Sequence, residues 1–161
     1  MNFDTSIFKR KIFNPWAEFD DSDISSDAPK IRTDNLKKYL LNQKNAKYIL
    51  IAESPSLGAR YSGIAMTSEK VINANNLSYK FSSKKSESGK YIYELTAKKV
   101  WDEIIEKKEN FVMWNAFAYN IHEKEGRWFE NPTIEDKINL LKGDSQYGRC
   151  CYPLYQNQSV Q

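Results

Sequence analysis

Two short apolar runs stand out from an otherwise polar chain. The first spans residues 46–52 (AKYILIA) and the second spans residues 111–114 (FVMW). Each is nearly continuous and is bounded by polar residues, which is typical of strands buried on both faces of a parallel sheet. We therefore predict two parallel strands. Because ligands of such sheets bind at the carboxyl ends of the strands, the loops after Ala52 and after Trp114 are the candidate site.

Segments before, between and after these strands have the sequence features of helices. Thr33 is predicted to cap a short helix, Ser68 a second and Thr133 a third, whereas residues 75–90 are predicted to form an exposed loop. The strongest amphipathic helix, ending near Lys107, has these apolar residues on one face: Ala97, Val100, Trp101, Ile104 and Ile105. Helices between parallel strands predict an α/β fold with helices on the faces of the sheet.

Composition agrees with one soluble domain over residues 1–161. The chain is 40% hydrophobic and 28% charged, its net charge of +3 mildly favours a polyanionic partner, and no run is long enough to span a membrane. Residues 1–30 are interpreted as an irregular lead-in anchored by Phe13, Trp16 and Phe19. The adjacent Cys150 and Cys151 are too few for a structural metal site, so we expect a reducing, cytoplasmic setting without a metal.

The two strand-tip loops carry the candidate chemistry. Glu53 follows the first strand, and a carboxylate at that position is suited to orienting a water molecule. Asn115 ends the second strand, and its amide can both donate and accept hydrogen bonds, as reading a base edge requires.

The chain resembles a bacterial branch of the uracil-DNA glycosylase superfamily. Residues 52–56 (AESPS) are similar to that family's Gly-Glu-Ala-Pro-Gly motif, and residues 62–69 (SGIAMTSE) to its Thr-Gly-Ile-Pro-Phe-Thr-Ser-Glu-like run. The resemblance extends from about residue 14 to 142 through four further segments in the same order: NPWAE (14–18), RTDNLKKYL (32–40), WNAF (114–117) and NPT (131–133).

The resemblance implies a fold, an activity and roles for particular residues. The fold would be a three-layer α/β/α sandwich with a short, mostly parallel sheet. The activity would be hydrolysis of the N-glycosidic bond of uracil, or another deaminated base, flipped out of DNA, with no metal or organic cofactor. Glu53 would position the attacking water. The implied base-binding residues are Asn115, Met66, Ser54 and Pro55, and the implied DNA-contacting residues are Ser56, Gly58, Arg60 and His122.

Several positions depart from the family pattern. Ala52 and Ser56 replace glycines, and Ala65 and Met66 replace the Pro-Phe pair. Residues 143–161 form an atypical polar tail without the family's His-Pro-Ser motif, whose histidine stabilises the departing base. We therefore expect a fold incomplete on its C-terminal side, from a truncated or shifted reading frame.

Simpler interpretations remain open. Glu53 could be a solvated carboxylate, Asn115 a turn residue, Met66 core filler and His122 a surface residue. Arg60 and the lysines at 84, 85 and 90 could contact phosphates or simply face solvent. The alternative functions are a catalytically inactive glycosylase fragment and a non-catalytic nucleotide- or nucleic-acid-binding module.

Overall fold

A computed structural model describes residues 11–92, 94–107, 111–122 and 132–143. The strands in these ranges are β1 (Lys11–Phe13), β2 (Tyr48–Ala52), β3 (Phe111–Asn115) and β4 (Asn120–His122). The helices are α1 (Ala28–Asn42), α2 (Leu57–Ser62), α3 (Glu69–Ala74), α4 (Lys84–Glu87), α5 (Leu95–Lys107) and α6 (Ile134–Gly143). The described part of the chain is a small α/β protein.

The two predicted strands form a parallel pair. β2 and β3 align from Tyr48 opposite Phe111 to Ala52 opposite Asn115. β1 and β4 make a separate antiparallel pair in which Phe13 lies opposite Asn120. The prediction of adjacent parallel strands is confirmed, but the predicted burial is wrong for β2, whose residues from Tyr48 to Ile51 are exposed because no described helix covers them. The irregular lead-in contains a strand that its polar sequence did not indicate.

Helix α1 begins earlier than the sequence predicts. It starts at Ala28, and Pro29 lies in its first turn. Proline is tolerated there because the first backbone N–H groups of a helix have no partner inside the helix. Thr33 is therefore not a cap, and its hydroxyl donates to the Pro29 carbonyl at 2.9 Å.

The buried face of α1 is largely polar, with Arg32 and Asn35 between Ala28 and Tyr39. Arg32 is fully buried, and its guanidinium pairs with the buried Asp23 at 2.6 Å. Its Nη2 also donates to the Glu18 carbonyl at 2.7 Å. A buried charge must be paired and hydrogen-bonded to be tolerated. Because the partners of Arg32 belong to residues 1–30, these contacts hold the lead-in against α1.

The prediction of an exposed loop at residues 75–90 is wrong in part. The lysines at 84, 85 and 90 are exposed, as expected, but Ser82 and Ser83 are buried and α4 follows them. The carboxylate of Glu69, at the start of α3, accepts from the Ser82 N–H and from the Ser83 hydroxyl. The predicted cap of α3 is confirmed, because the Ser68 hydroxyl accepts from the Val71 N–H at 3.3 Å.

The main core lies between β3 and the helices α1, α3 and α5. Ala97 and Trp101 of α5 are buried, as predicted, but Ile105 remains 47% exposed. Phe13 is buried and the Trp16 indole donates to the Gly63 carbonyl at 3.1 Å, whereas Phe19 is half-exposed and does not anchor the lead-in. The buried residues of this core are Tyr39, Ile64, Ala65, Met66, Val71, Ala97, Trp101, Val112 and Met113. No described helix combines the length and apolar character that a membrane span requires.

Candidate functional site

The two strand-tip loops lie side by side. The N–H of Ala116 donates to the Ala52 carbonyl and the N–H of Phe117 to the Glu53 carbonyl, each at 2.8 Å. The side-chain amide of Asn120, in β4, donates to the Pro55 carbonyl at 2.8 Å. Because three hydrogen bonds connect the loops, the tips of β2 and β3 form one site. Asn120 was not predicted, since nothing in its local sequence distinguishes it from a turn residue.

Glu53 lies at the solvent-facing side of this site. Its side chain is 48% exposed, and its Oε1 pairs with the Lys137 Nζ at 2.6 Å. Lys137 comes from α6, whose start is fixed by reciprocal hydrogen bonds between Thr133 and Asp136, as the capping pattern predicts. The sequence gives no signal for Lys137, because the pairing partners are far apart along the chain.

Asn115 lies at the buried side of the site. It is only 6% exposed, and its Oδ1 has no hydrogen-bond donor among the described residues. The Oδ1 of Asn120, which is 2% exposed, also lacks a donor there. A buried acceptor without a donor costs about 1–3 kcal/mol, and buried polar groups are otherwise almost always paired. Two such acceptors beside one loop are therefore suited to a ligand that brings N–H groups.

The first loop is held rigidly by its own sequence. Pro55 is buried, Ser54 is partly buried, and the Ser56 hydroxyl caps α2 by accepting from the Ala59 N–H at 3.1 Å. Gly58 was predicted to allow close approach of DNA. A Cβ added at Gly58 would instead lie 3.0 Å from the Ser68 Cβ and 2.8 Å from the Glu94 Oε2. Packing inside the protein accounts for the glycine.

Arg60 does not occupy the predicted DNA-contacting position. Its side chain is fully buried, it forms an ion pair with Asp20, and its guanidinium carbon lies 3.7 Å from the centre of the Phe13 ring. Burial lowers the pKa of Arg60 to about 10, so the group remains charged at neutral pH. A phosphate could not reach the guanidinium in this arrangement, so the structure gives no support to a DNA contact by Arg60.

Met66 lies in the hydrophobic core. It is 6% exposed and packs in the cluster that contains Val71, Trp101 and Met113. Its backbone has φ of +48°, which is uncommon for a residue with a side chain. This position agrees with the interpretation of Met66 as core filler and gives no support to base binding.

The remaining predicted contact is His122, in β4. Its side chain lies outside the part of the chain that the structure describes, as do residues 144–161 with both cysteines. Within the described ranges, no three His, Cys, Asp or Glu side chains cluster as metal ligands.

An apolar cavity of about 410 Å³ lies beside the second loop but does not contain Glu53 or Asn115. Trp114 lines this cavity. Successive side chains of a strand point to opposite faces, so the side chain of Asn115 lies on the other face of β3. The cavity is lined by Asn14, Trp16, Ala17, Thr33, Leu36, Lys37, Leu40, Trp114, Ala118 and Tyr119.

Comparison of the chain with protein-family models, with curated proteins and with solved structures gives no match. What the site can do therefore has to be argued from its own chemistry. It combines a half-exposed carboxylate, a lysine paired with that carboxylate, and two buried amides whose oxygens lack donors within the described ranges.

Proposed function

We propose that this protein is a uracil-DNA-glycosylase-like hydrolase that releases uracil, or another deaminated base, from DNA in the cytoplasm. The observation that carries the proposal is the buried Asn115 Oδ1, which has no donor among the described residues and belongs to the residue opposite Ala52, directly before the half-exposed Glu53. Uracil offers a ring N–H beside a carbonyl oxygen. A single side-chain amide can pair with both of these groups.

The proposed reaction needs a base-reading group and a water-orienting group on neighbouring loops. The Asn115 amide would accept from the N–H of the flipped base and donate to its carbonyl oxygen. The bond between the base nitrogen and C1′ of the sugar breaks, and its electron pair leaves with the base. Water forms the new bond to C1′, its proton passes to the Glu53 carboxylate, and the departing base takes a proton from solvent.

Negative charge develops on the base in this reaction, so a positive group near the site matters. Lys137, at 2.6 Å from Glu53, is the ammonium group described at the site. We propose that it holds the Glu53 carboxylate in position. The proposal also implies a three-layer α/β/α sandwich, since such a fold would bury the apolar side chains that β2 exposes.

The test is release of uracil from a uracil-containing oligonucleotide by the purified chain. We expect Glu53→Gln to lower the rate by about 10²–10⁴-fold, the usual contribution of a general base, while the oligonucleotide is still bound. Asn115→Ala removes a donor at the developing charge and should lower the rate by about 10²–10³-fold.

The matched controls are Glu87→Gln and Asn73→Ala, which alter exposed residues of the same types. Both should keep the full rate. Absence of release from uracil, hypoxanthine and xanthine oligonucleotides by the folded wild type would overturn the enzymatic proposal. If a wild type that releases no base still bound the oligonucleotides, we would conclude that the protein is a non-catalytic binding module.

A further inference from the structure

Glu94 touches the loop that follows Glu53, although it is 41 residues further along the chain. It directly precedes α5, where its carbonyl accepts from the Lys98 N–H at 3.1 Å. Its side chain occupies the space next to Gly58, because a Cβ added there would lie 2.8 Å from its Oε2 and 3.3 Å from its Cβ. Glu94 therefore packs against the first turn of α2.

The carboxyl of Glu94 is in an unusual environment. Its Oε2 is buried and lacks a hydrogen-bond donor of its own among the described residues. Burial raises the pKa of Glu94, and this effect outweighs hydrogen bonding from the Ser56 hydroxyl and the Ala59 N–H, which lowers the pKa. Both of those donors belong to the turn that begins three residues after Glu53.

Charged neighbours of Glu94 come from the helices around it. Lys70 of α3, with Lys98 and Asp102 of α5, line the same small cavity of about 120 Å³, and Lys98 pairs with Asp102 at 2.5 Å. The charged residue of α2, Arg60, pairs with Asp20. The first acid of α3, Glu69, bonds to Ser82 and Ser83. The turn of α2 supplies direct polar contacts of the Glu94 carboxyl, through Ser56 and Ala59.

We propose that Glu94 is a positioning residue: its buried carboxyl holds the Ser56–Ala59 turn, and with it the Glu53 tip of β2, in the arrangement the site requires. The part of this proposal that concerns catalysis rests on the proposed function. The part that concerns the turn stands alone. Because burial disfavours the charged form of Glu94 more than hydrogen bonding favours it, the turn loosens when Glu94 loses its proton.

The stability of the whole protein should respond to pH in the same direction. A carboxyl whose pKa is raised by folding contributes stability that is fully present below its unfolded value of about 4.5 and is lost as pH rises through the folded value. Glu94→Gln, which stays neutral, should therefore unfold at a higher urea concentration than wild type at pH 8. The difference should close as the pH falls to 4.5.

Hydrogen exchange of the full chain, read in peptides that cover residues 53–63, tests the positioning role. At pH 5 we expect Glu94→Ala to speed exchange of this segment by about 5- to 10-fold, the effect of one lost hydrogen bond. Peptides of β3 should be unchanged. In wild type the segment should lose protection as the pH rises from 5 toward 8, after correction for intrinsic rates, and in Glu94→Gln this pH dependence should vanish. Glu103→Gln, an exposed acid on α5, is the matched control.

Two outcomes would overturn the proposal: unchanged exchange in residues 53–63 of Glu94→Ala, or an equal rise throughout the chain. If Glu94→Ala does not fold, the pH dependence of wild type against Glu94→Gln decides alone. Uracil release is measured in parallel, with Glu94→Ala expected to lower kcat more than it raises KM. Loosening of the turn in a wild-type chain that releases no base would reject the glycosylase proposal and keep the positioning role. Base release by the wild type, together with unchanged exchange of residues 53–63 in Glu94→Ala, would keep the glycosylase proposal and reject the positioning role.

Discussion

β2 and β3 are paired along their whole length, but their side chains are in opposite environments. In β3, Val112 and Met113 are 8% and 1% exposed, whereas in β2, Ile49 and Ile51 are 55% and 59% exposed. The helices α1 and α5 cover β3, while β2 has only β3 beside it among the described residues. An apolar run therefore predicts a strand, but its neighbours decide whether the strand is buried.

The same contrast holds at the ends of the two strands. Glu53, after β2, is half-exposed and pairs with a lysine, while Asn115, in β3, is buried and its amide oxygen has no donor in the part of the chain that the structure describes. The exposed tip is suited to water and the buried tip to a ligand that is removed from water. The candidate site thus depends on the difference in burial between the strands.

Truncating one apolar side chain on each strand should give the largest difference in stability. Met113→Ala is expected to lower the free energy of unfolding by about 2–5 kcal/mol, because it leaves a cavity in the core. Ile51→Ala should change it by less than about 1 kcal/mol, because the side chain is already largely hydrated. Urea denaturation measures both, and similar losses at the two positions would mean that β2 is covered in solution.

A second pair of substitutions compares two tyrosine hydroxyls. The Tyr39 hydroxyl accepts from the Met113 N–H at 2.6 Å, so Tyr39→Phe should cost about 1–3 kcal/mol by leaving that buried donor unpaired. Tyr48→Phe, at the exposed start of β2, should be neutral. Equal effects of the two changes would contradict the burial assigned to β3.

Tyr39 also gives a pH signature for β3. Burial raises the pKa of Tyr39 above its usual value of 10.0. Its contribution to stability is therefore complete below about pH 10 and is lost as pH rises through the folded pKa. Wild type should lose stability relative to Tyr39→Phe in strongly alkaline urea titrations. A constant difference across that range would show that Tyr39 is accessible to solvent.

The smallest expected effect concerns the ion pair at the β2 tip. A double-mutant cycle of Glu53→Gln and Lys137→Met should give a coupling of about 0.2–1 kcal/mol, since both side chains are more than 40% exposed. The coupling should fall when the salt concentration is raised to 1 M. A larger coupling that does not depend on salt would place this tip in a buried setting like that of Asn115.

Much of the local structure follows from the sequence. The apolar runs predict β2 and β3, the hydroxyl caps predict the starts of α3 and α6, and the spacing of Ala97 and Trp101 predicts α5. The start of α1 was mispredicted, because its buried face carries Arg32 and Asn35 in place of apolar residues. Polar residues can face a core only when distant partners satisfy them, and those partners cannot be read from the local pattern.

The sequence by itself determined which segments are apolar enough to become strands, and it placed Glu53 and Asn115 at the ends of those strands. Only the tertiary structure decided that Arg60 is buried beside Phe13, that Lys137 reaches Glu53, and that Glu94 packs on Gly58. The physical reason is that hydrophobic periodicity is a local property of the chain. Burial, charge pairing and the contacts of a carboxyl depend on segments brought together by folding.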